Sequence, residues 1–171
     1  TIIFTCTHSA TTTQYTCGKL GTFAEDSAVT CPAAPDPIII NGSFVPANKA
    51  ALQTAVDACI AETSDGSCPT FAASNYTPGL PYGSIGQWNI SKVTDLEYLF
   101  RGRSDFDQDL SHWITSNVVS MMYMFQSASA FTSDLSNWDV SNVVKIGGMY
   151  EEATSFNSDL SHWDMSAVTS A

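Results

Sequence analysis

Cationic side chains are scarce in this chain: six Lys and Arg stand against seventeen Asp and Glu, for a formal net charge of −11 over 171 residues. That balance disfavours a nucleic-acid partner, because neutralising phosphates needs a basic footprint. It equally disfavours docking on an anionic membrane surface. The plain consequence of the acidity is solubility. Long hydrophobic runs are missing too. No segment reaches the roughly 18 apolar residues a membrane-spanning helix requires, so no membrane insertion is expected. The chain opens without a basic stretch leading into an apolar core, so any signal peptide is expected to be gone already. What remains is an apolar fraction of 44%, ordinary for a folded globular protein rather than a disordered one.

Cysteine is absent beyond residue 68, and the five present are Cys6, Cys17, Cys31, Cys59 and Cys68. They form no C-x-x-C knuckles and no His stands at zinc-finger distance, so no metal site is expected. Disulfides are expected instead, compensating in the first part of the chain for a smaller core. The pairing of Cys6, Cys17 and Cys31 is open. An odd count leaves one thiol free, bridged to another chain, or paired outside this stretch. Three Asn-x-Ser/Thr sequons begin at Asn41, Asn75 and Asn89. Together with the cysteines they point to a secreted or cell-surface glycoprotein.

Residues 1–45 are rich in Thr and Cys and lean towards β structure, with Thr1–Thr5 and Ile38–Ile40 as strand candidates and Pro32, Pro35 and Pro37 between them. Residues 46–82 hold one long helix, from about Pro46 to Glu62. Leu52, Val56, Cys59 and Ile60 form its single apolar stripe, and Pro46 or Asn48 suits its first turn. Asp65-Gly66 ends it, and Cys68 folds back towards Cys59, which makes Cys59–Cys68 the expected disulfide. Standing just before a repeat array, the helix is expected to cap the first unit.

That array occupies residues 83–171. Trp88, Trp113, Trp138 and Trp163 recur every 25 residues. In phase with them run Ser91, Ser116, Ser141 and Ser166, then Val93, Val118, Val143 and Val168. Phe100, Phe125 and Tyr150 follow, then Phe106, Phe131 and Phe156, and an Asp-Leu-Ser triplet beginning at Asp109, Asp134 and Asp159. A fixed period of this length predicts stacked supersecondary units. Val93, Leu96, Leu99 and Phe100 fit one face of a short helix or 3₁₀ turn. The stretch Leu110–Trp113 reads as a short strand pairing in parallel with its copies. Gly147-Gly148 is expected to weaken the third turn by about 1 kcal/mol per Gly. About 3.5 units are present. The last is open at its C-terminal side, so either more chain or a neighbour is expected to cover it.

The run Trp138-Asp139-Val140-Ser141-Asn142-Val143, a Met/Phe-rich turn, and then Phe156 to Trp163 resembles the BspA-like leucine-rich-repeat surface proteins, whose repeat is also labelled DUF285. The likeness spans about residues 83–171, and the helix leading into Tyr82–Trp88 resembles the usual approach to such repeats. It implies an α/β repeat solenoid, leucine-rich-repeat-like, with a short strand and a short helix or 3₁₀ turn per unit. It also implies surface display, adhesion and protein–protein contact, with no catalytic motif to carry over.

The polar columns allow two uses each. Asp109, Asp134 and Asp159, with Asp105 and Asp107, offer hard oxygen ligands for Ca²⁺. An Asp before a turn more commonly binds backbone N–H groups, and that role is preferred. A row of equivalent serines argues against a single activated nucleophile. His112 and His162 share a slot with Asn137, which marks a surface position rather than a catalytic one. The Phe columns are expected in the core. The four tryptophans are candidates for core or, beside Asn, Asp and Ser, for an exposed recognition surface. The expectation is therefore a non-enzymatic structural or interaction protein without a cofactor. Its partners would be proteins, by self-assembly or within a larger surface complex, with a monomeric glycan-binding adhesin as the alternative.

Overall fold

A computed structural model describes residues 5–8, 15–18, 44–77 and 80–170. The chain separates into two compact units, Thr1–Ile38 and Ile39–Ala171. In the first, β1 (Thr5–His8) and β2 (Tyr15–Gly18) pair antiparallel, with Cys6 opposite Cys17 in register. Cys31, Ile38–Ile40 and the Asn41 sequon lie outside the described residues.

The second unit opens with α1 (Lys49–Glu62), started by Asn48, whose side chain accepts from the Ala51 amide. An uncapped first turn would leave that amide unpaired, which is why Asn rather than Pro46 marks the boundary. Leu52, Ala55, Val56, Cys59 and Ile60 are its buried face. Three contacts at a constant offset of 46 residues fix the helix alongside the first repeat: Lys49 with Asp95 at 2.9 Å, Gln53 with the Leu99 carbonyl at 3.5 Å, and Arg103 with Asp57 at 2.6 Å. Beyond it, Cys59 and Cys68 are joined by a disulfide. The Asp65 carbonyl accepts from the Asp107 amide and the Gln108 side chain. A short α2 (Pro69–Ala73) and the antiparallel pair β3 (Asn75–Thr77) and β4 (Leu80–Pro81) complete this lead-in, none of them anticipated from the sequence. Closing a ten-residue loop by a disulfide is worth about 2–3 kcal/mol through the unfolded chain. Cys59→Ala/Cys68→Ala is expected to lose about that much in urea unfolding. A change below about 1 kcal/mol would show that the loop holds itself.

Residues 94–170 are organised by one backbone rule. The amides of Leu96, Tyr98, Phe100 and Gly102 donate to carbonyls 24 residues ahead, while those of Leu99, Arg101 and Arg103 donate back three residues within the same unit. Met121 through Ala128 repeat the alternation. Parallel bridges run Asp95 to Ser120 to Lys145 to Ser170. The parallel pairing therefore falls on this segment and not on Leu110–Trp113, whose backbone is turns. No helix forms over Val93–Phe100 either. The 3, 3, 1 spacing reflects three-residue turns, which place apolar side chains much as a helix does.

Left-handed backbone at two positions per unit breaks any helical run: Tyr98, Tyr123 and Gly148 form one column with φ of 62°, 53° and 64°, and Gly102, Ser127 and Glu152 form another. Gly148 thus occupies a slot that favours glycine, so it does not weaken a helix there. A Cβ on it would also run into the Tyr123 ring.

Candidate interaction surface

The aromatic columns fill the interior. Phe100, Phe125 and Tyr150 stack at 5.6 and 5.8 Å between ring centroids, and Phe106, Phe131 and Phe156 at 5.9 Å each. Trp113 lies parallel to Trp138 at 6.3 Å. Trp88, Trp113 and Trp138 are only 2–3% exposed, and Trp163 is half-buried. Of the two readings open to the tryptophans, core therefore holds for Trp88, Trp113 and Trp138, which corrects their candidacy as a recognition surface, while Trp163 is only partly covered. The reason is a hydrogen bond invisible in local sequence. The indole N–H groups of Trp113, Trp138 and Trp163 each donate to a carbonyl 28 residues back (Ile85, Leu110 and Leu135) at 2.9–3.0 Å. With its one polar atom satisfied, each ring is free to be buried.

Asp109, Asp134 and Asp159 are exposed, and each carboxylate accepts the amide two residues on, from Ser111, Ser136 and Ser161. Asn89, Asp139 and Asp164 make the same turn with Ser91, Ser141 and Ser166. Ser158 Oγ donates to Asp134 and accepts from the Leu135 amide, tying one unit to the previous one. Asp107 accepts from both the amide and the hydroxyl of Thr132. Asn117 and Asn142 donate to the carbonyls of Ser91 and Ser116. The repeated polar residues are therefore occupied with the backbone of their own and neighbouring units. His112 is exposed beside Ser111, His162 is exposed, and His8 lies on β1. Of the sequons, Asn75 is exposed on β3, whereas the Asn89 side-chain oxygen is engaged in its turn.

These hydrogen bonds hold the carboxyls of Asp109, Asp134, Asp139, Asp159 and Asp164 below the usual carboxylate range, the partners being Ser111, Ser136, Ser141, Ser161 and Ser166 in turn. A depressed folded pKa gives stability that is full above the unfolded value, about 3.9 for Asp. That stability is lost as pH falls through the folded value. Unfolding monitored against pH is thus expected to show a drop in stability below about pH 4. Asp134→Asn should reduce that drop at little neutral-pH cost, since Asn89 already makes the same turn. An unchanged acid profile would contradict the assignment.

Two cavities border the later units. Ile146, Met149, Tyr150, Leu160, Trp163 and Met165 line one of about 310 Å³. The residues one period earlier (Met121, Met124, Phe125, Leu135, Trp138 and Val140) are all buried core, so the lining of this cavity continues the core columns. The Tyr150 hydroxyl lies buried there without a partner among the described residues, and burial pushes its pKa up. The second, about 440 Å³, is polar and includes Asp134, Asn157, Asp159 and His162.

Among the exposed apolar side chains, which include Ile114, Val119 and Met165, an aromatic strip stands out. Tyr98, 44% exposed, stacks on the half-buried Tyr123 at 5.4 Å with only 8° between ring planes. The Arg101 guanidinium lies 5.3 and 6.0 Å from the two ring centroids. Sequence reasoning missed this strip. The signal was a Tyr ten residues after each of two successive tryptophans, next to residues already assigned to the core.

Residues 71–171 match the family described as "Mycoplasma protein of unknown function, DUF285". The match covers more than half of the chain, which belongs to that family. No curated protein and no solved structure matches. No helix among the described residues is long and apolar enough to cross a membrane.

Proposed function

We propose that this is a secreted or cell-surface, non-enzymatic interaction protein, a subunit of an extracellular assembly, whose residues 83–171 form a leucine-rich-repeat-like solenoid. The observation that carries this is the outward strip of Tyr98, Tyr123 and Arg101 on a segment whose other aromatics are interior. Exposed Tyr and Arg are among the residue types enriched at protein–protein contacts and at their energetic hot spots. Support for the solenoid comes from the 25-residue spacing of the parallel bridges and from the constant ring spacing along each column. Secretion is supported by the Cys59–Cys68 disulfide. A glycan-binding adhesin using exposed indoles loses its platform once Trp88, Trp113 and Trp138 are interior.

Light scattering on the protein from its source, with and without reductant, tests the assembly role. The expected result is a species heavier than one chain plus its glycans. Its collapse on reduction would assign the odd cysteine to an interchain bridge. A clean monomer would overturn the assembly role.

A further inference from the structure

Resting on the interaction role, we infer that the partner on the Tyr98–Arg101 face is a second copy of this chain, laid face to face with its units in the opposite order. The inference comes from the sequence of charges along one column. Positions 101, 126 and 151 are equivalent in successive units and hold Arg101, Gln126 and Glu151, with Glu152 beside the last. Positive, neutral and negative thus follow one another along the stack. The backbone amides linking Phe100 to Met124, Gly102 to Gln126 and Phe125 to Met149 keep these residues in register.

The two ends of the column are available. Lys49 and Arg103 are held in ion pairs by Asp95 and Asp57. Arg101 is exposed and makes no ion pair among the described residues, lying instead over the two tyrosine rings. Glu151 and Glu152 are exposed, each with one oxygen taken, by Gln126 Nε2 at 2.6 Å and by Ser127 Oγ at 2.7 Å. The second oxygen of each carboxylate is left to a donor from outside.

Reversing a second copy about an axis near Gln126 sets Arg101 of each chain against Glu151 and Glu152 of the other, twice over by symmetry. An isologous contact requires this self-complementarity. Guanidinium–carboxylate geometry suits a paired contact, and Tyr98 and Tyr123 supply the apolar area flanking it. A parallel arrangement would set Arg101 against Arg101 and Glu151 against Glu151. At a net charge of −11, two copies repel over most of their surface, so a face that offers local attraction in one orientation alone selects that orientation.

Sedimentation equilibrium of the purified chain over a wide concentration range tests this with three proteins: wild type, Arg101→Glu, and Arg101→Glu/Glu151→Arg. Wild type is expected to dimerise. Arg101→Glu should raise the dimer Kd about tenfold or more, and the double swap should recover most of the loss. Glu151→Arg removes the acceptor of Gln126 Nε2, and a flip of the Gln126 amide turns its oxygen towards the introduced guanidinium as the acceptor instead. Wild type remaining monomeric throughout, Arg101→Glu dimerising like wild type, or the double swap failing to recover would each overturn the inference. A purified chain that stays monomeric while source material is heavy would remove the self-contact alone. Monomers in both would remove the interaction role with it.

Discussion

Phe125→Ala is expected to cost about 3–5 kcal/mol in urea unfolding, the range for emptying a buried aromatic site. Phe125 is fully buried and stands at the crossing of two aromatic sets. It stacks along its column on Phe100 and Tyr150 at 5.6 and 5.8 Å, and within its unit it meets Phe131 at 4.1 Å and Trp138 at 6.4 Å. None of these neighbours can collapse into the gap without leaving its own stack, so the cavity should persist. Tyr98→Ala, two residues before Phe100 but facing outward, is expected to cost less than about 1 kcal/mol. A loss below about 1 kcal/mol for Phe125→Ala, or equal losses for the two, would mean that interior and exterior columns have been exchanged.

Gly66→Ala is expected to destabilise by about 2–4 kcal/mol, from two separate causes. At φ +82° the residue occupies left-handed backbone that a Cβ disfavours. The added Cβ would also lie 2.7 and 2.8 Å from two Phe106 ring atoms and 3.0 Å from Gln108 Cγ. Phe106 cannot yield easily, being fully buried and stacked on Phe100 at 4.1 Å and Phe131 at 5.9 Å. The loop carrying Gly66 docks on the first repeat through the Asp65 carbonyl. The variant should therefore raise hydrogen exchange first at Asp107, whose amide donates to that carbonyl. Unchanged stability with unchanged exchange would mean that the loop does not pack on the repeat.

Part of this was legible in the chain because it depends on spacing alone. The 25-residue recurrence located the units. The Leu52, Val56, Cys59 and Ile60 stripe located α1, and Asn48 is of the residue type that caps a helix start. The family was legible for the same reason, since its pattern is a set of residues in fixed register. What escaped depends on bonds between units. Amides that alternate between the next unit and their own turn leave no local signature, so Val93–Phe100 reads as helical while its hydrogen bonds are strand-like across units and turn-like within them. Left-handed backbone at Tyr98 and Tyr123 is unmarked by Gly and became visible only beside Gly148. The burial of the tryptophans likewise turns on carbonyls 28 residues away.

The most direct test of this arrangement is the environment of the tryptophans, because it separates a protein that recognises through exposed indoles from one that keeps them as core. In Trp163→Phe the three remaining rings, Trp88, Trp113 and Trp138, are all buried. Fluorescence of this variant is expected to be blue-shifted and unaffected by iodide or by a panel of soluble sugars, returning to that of hydrated indole only on unfolding. Red-shifted emission quenched by iodide in the folded protein would contradict the account. Saturable quenching by a sugar would restore the glycan-binding alternative.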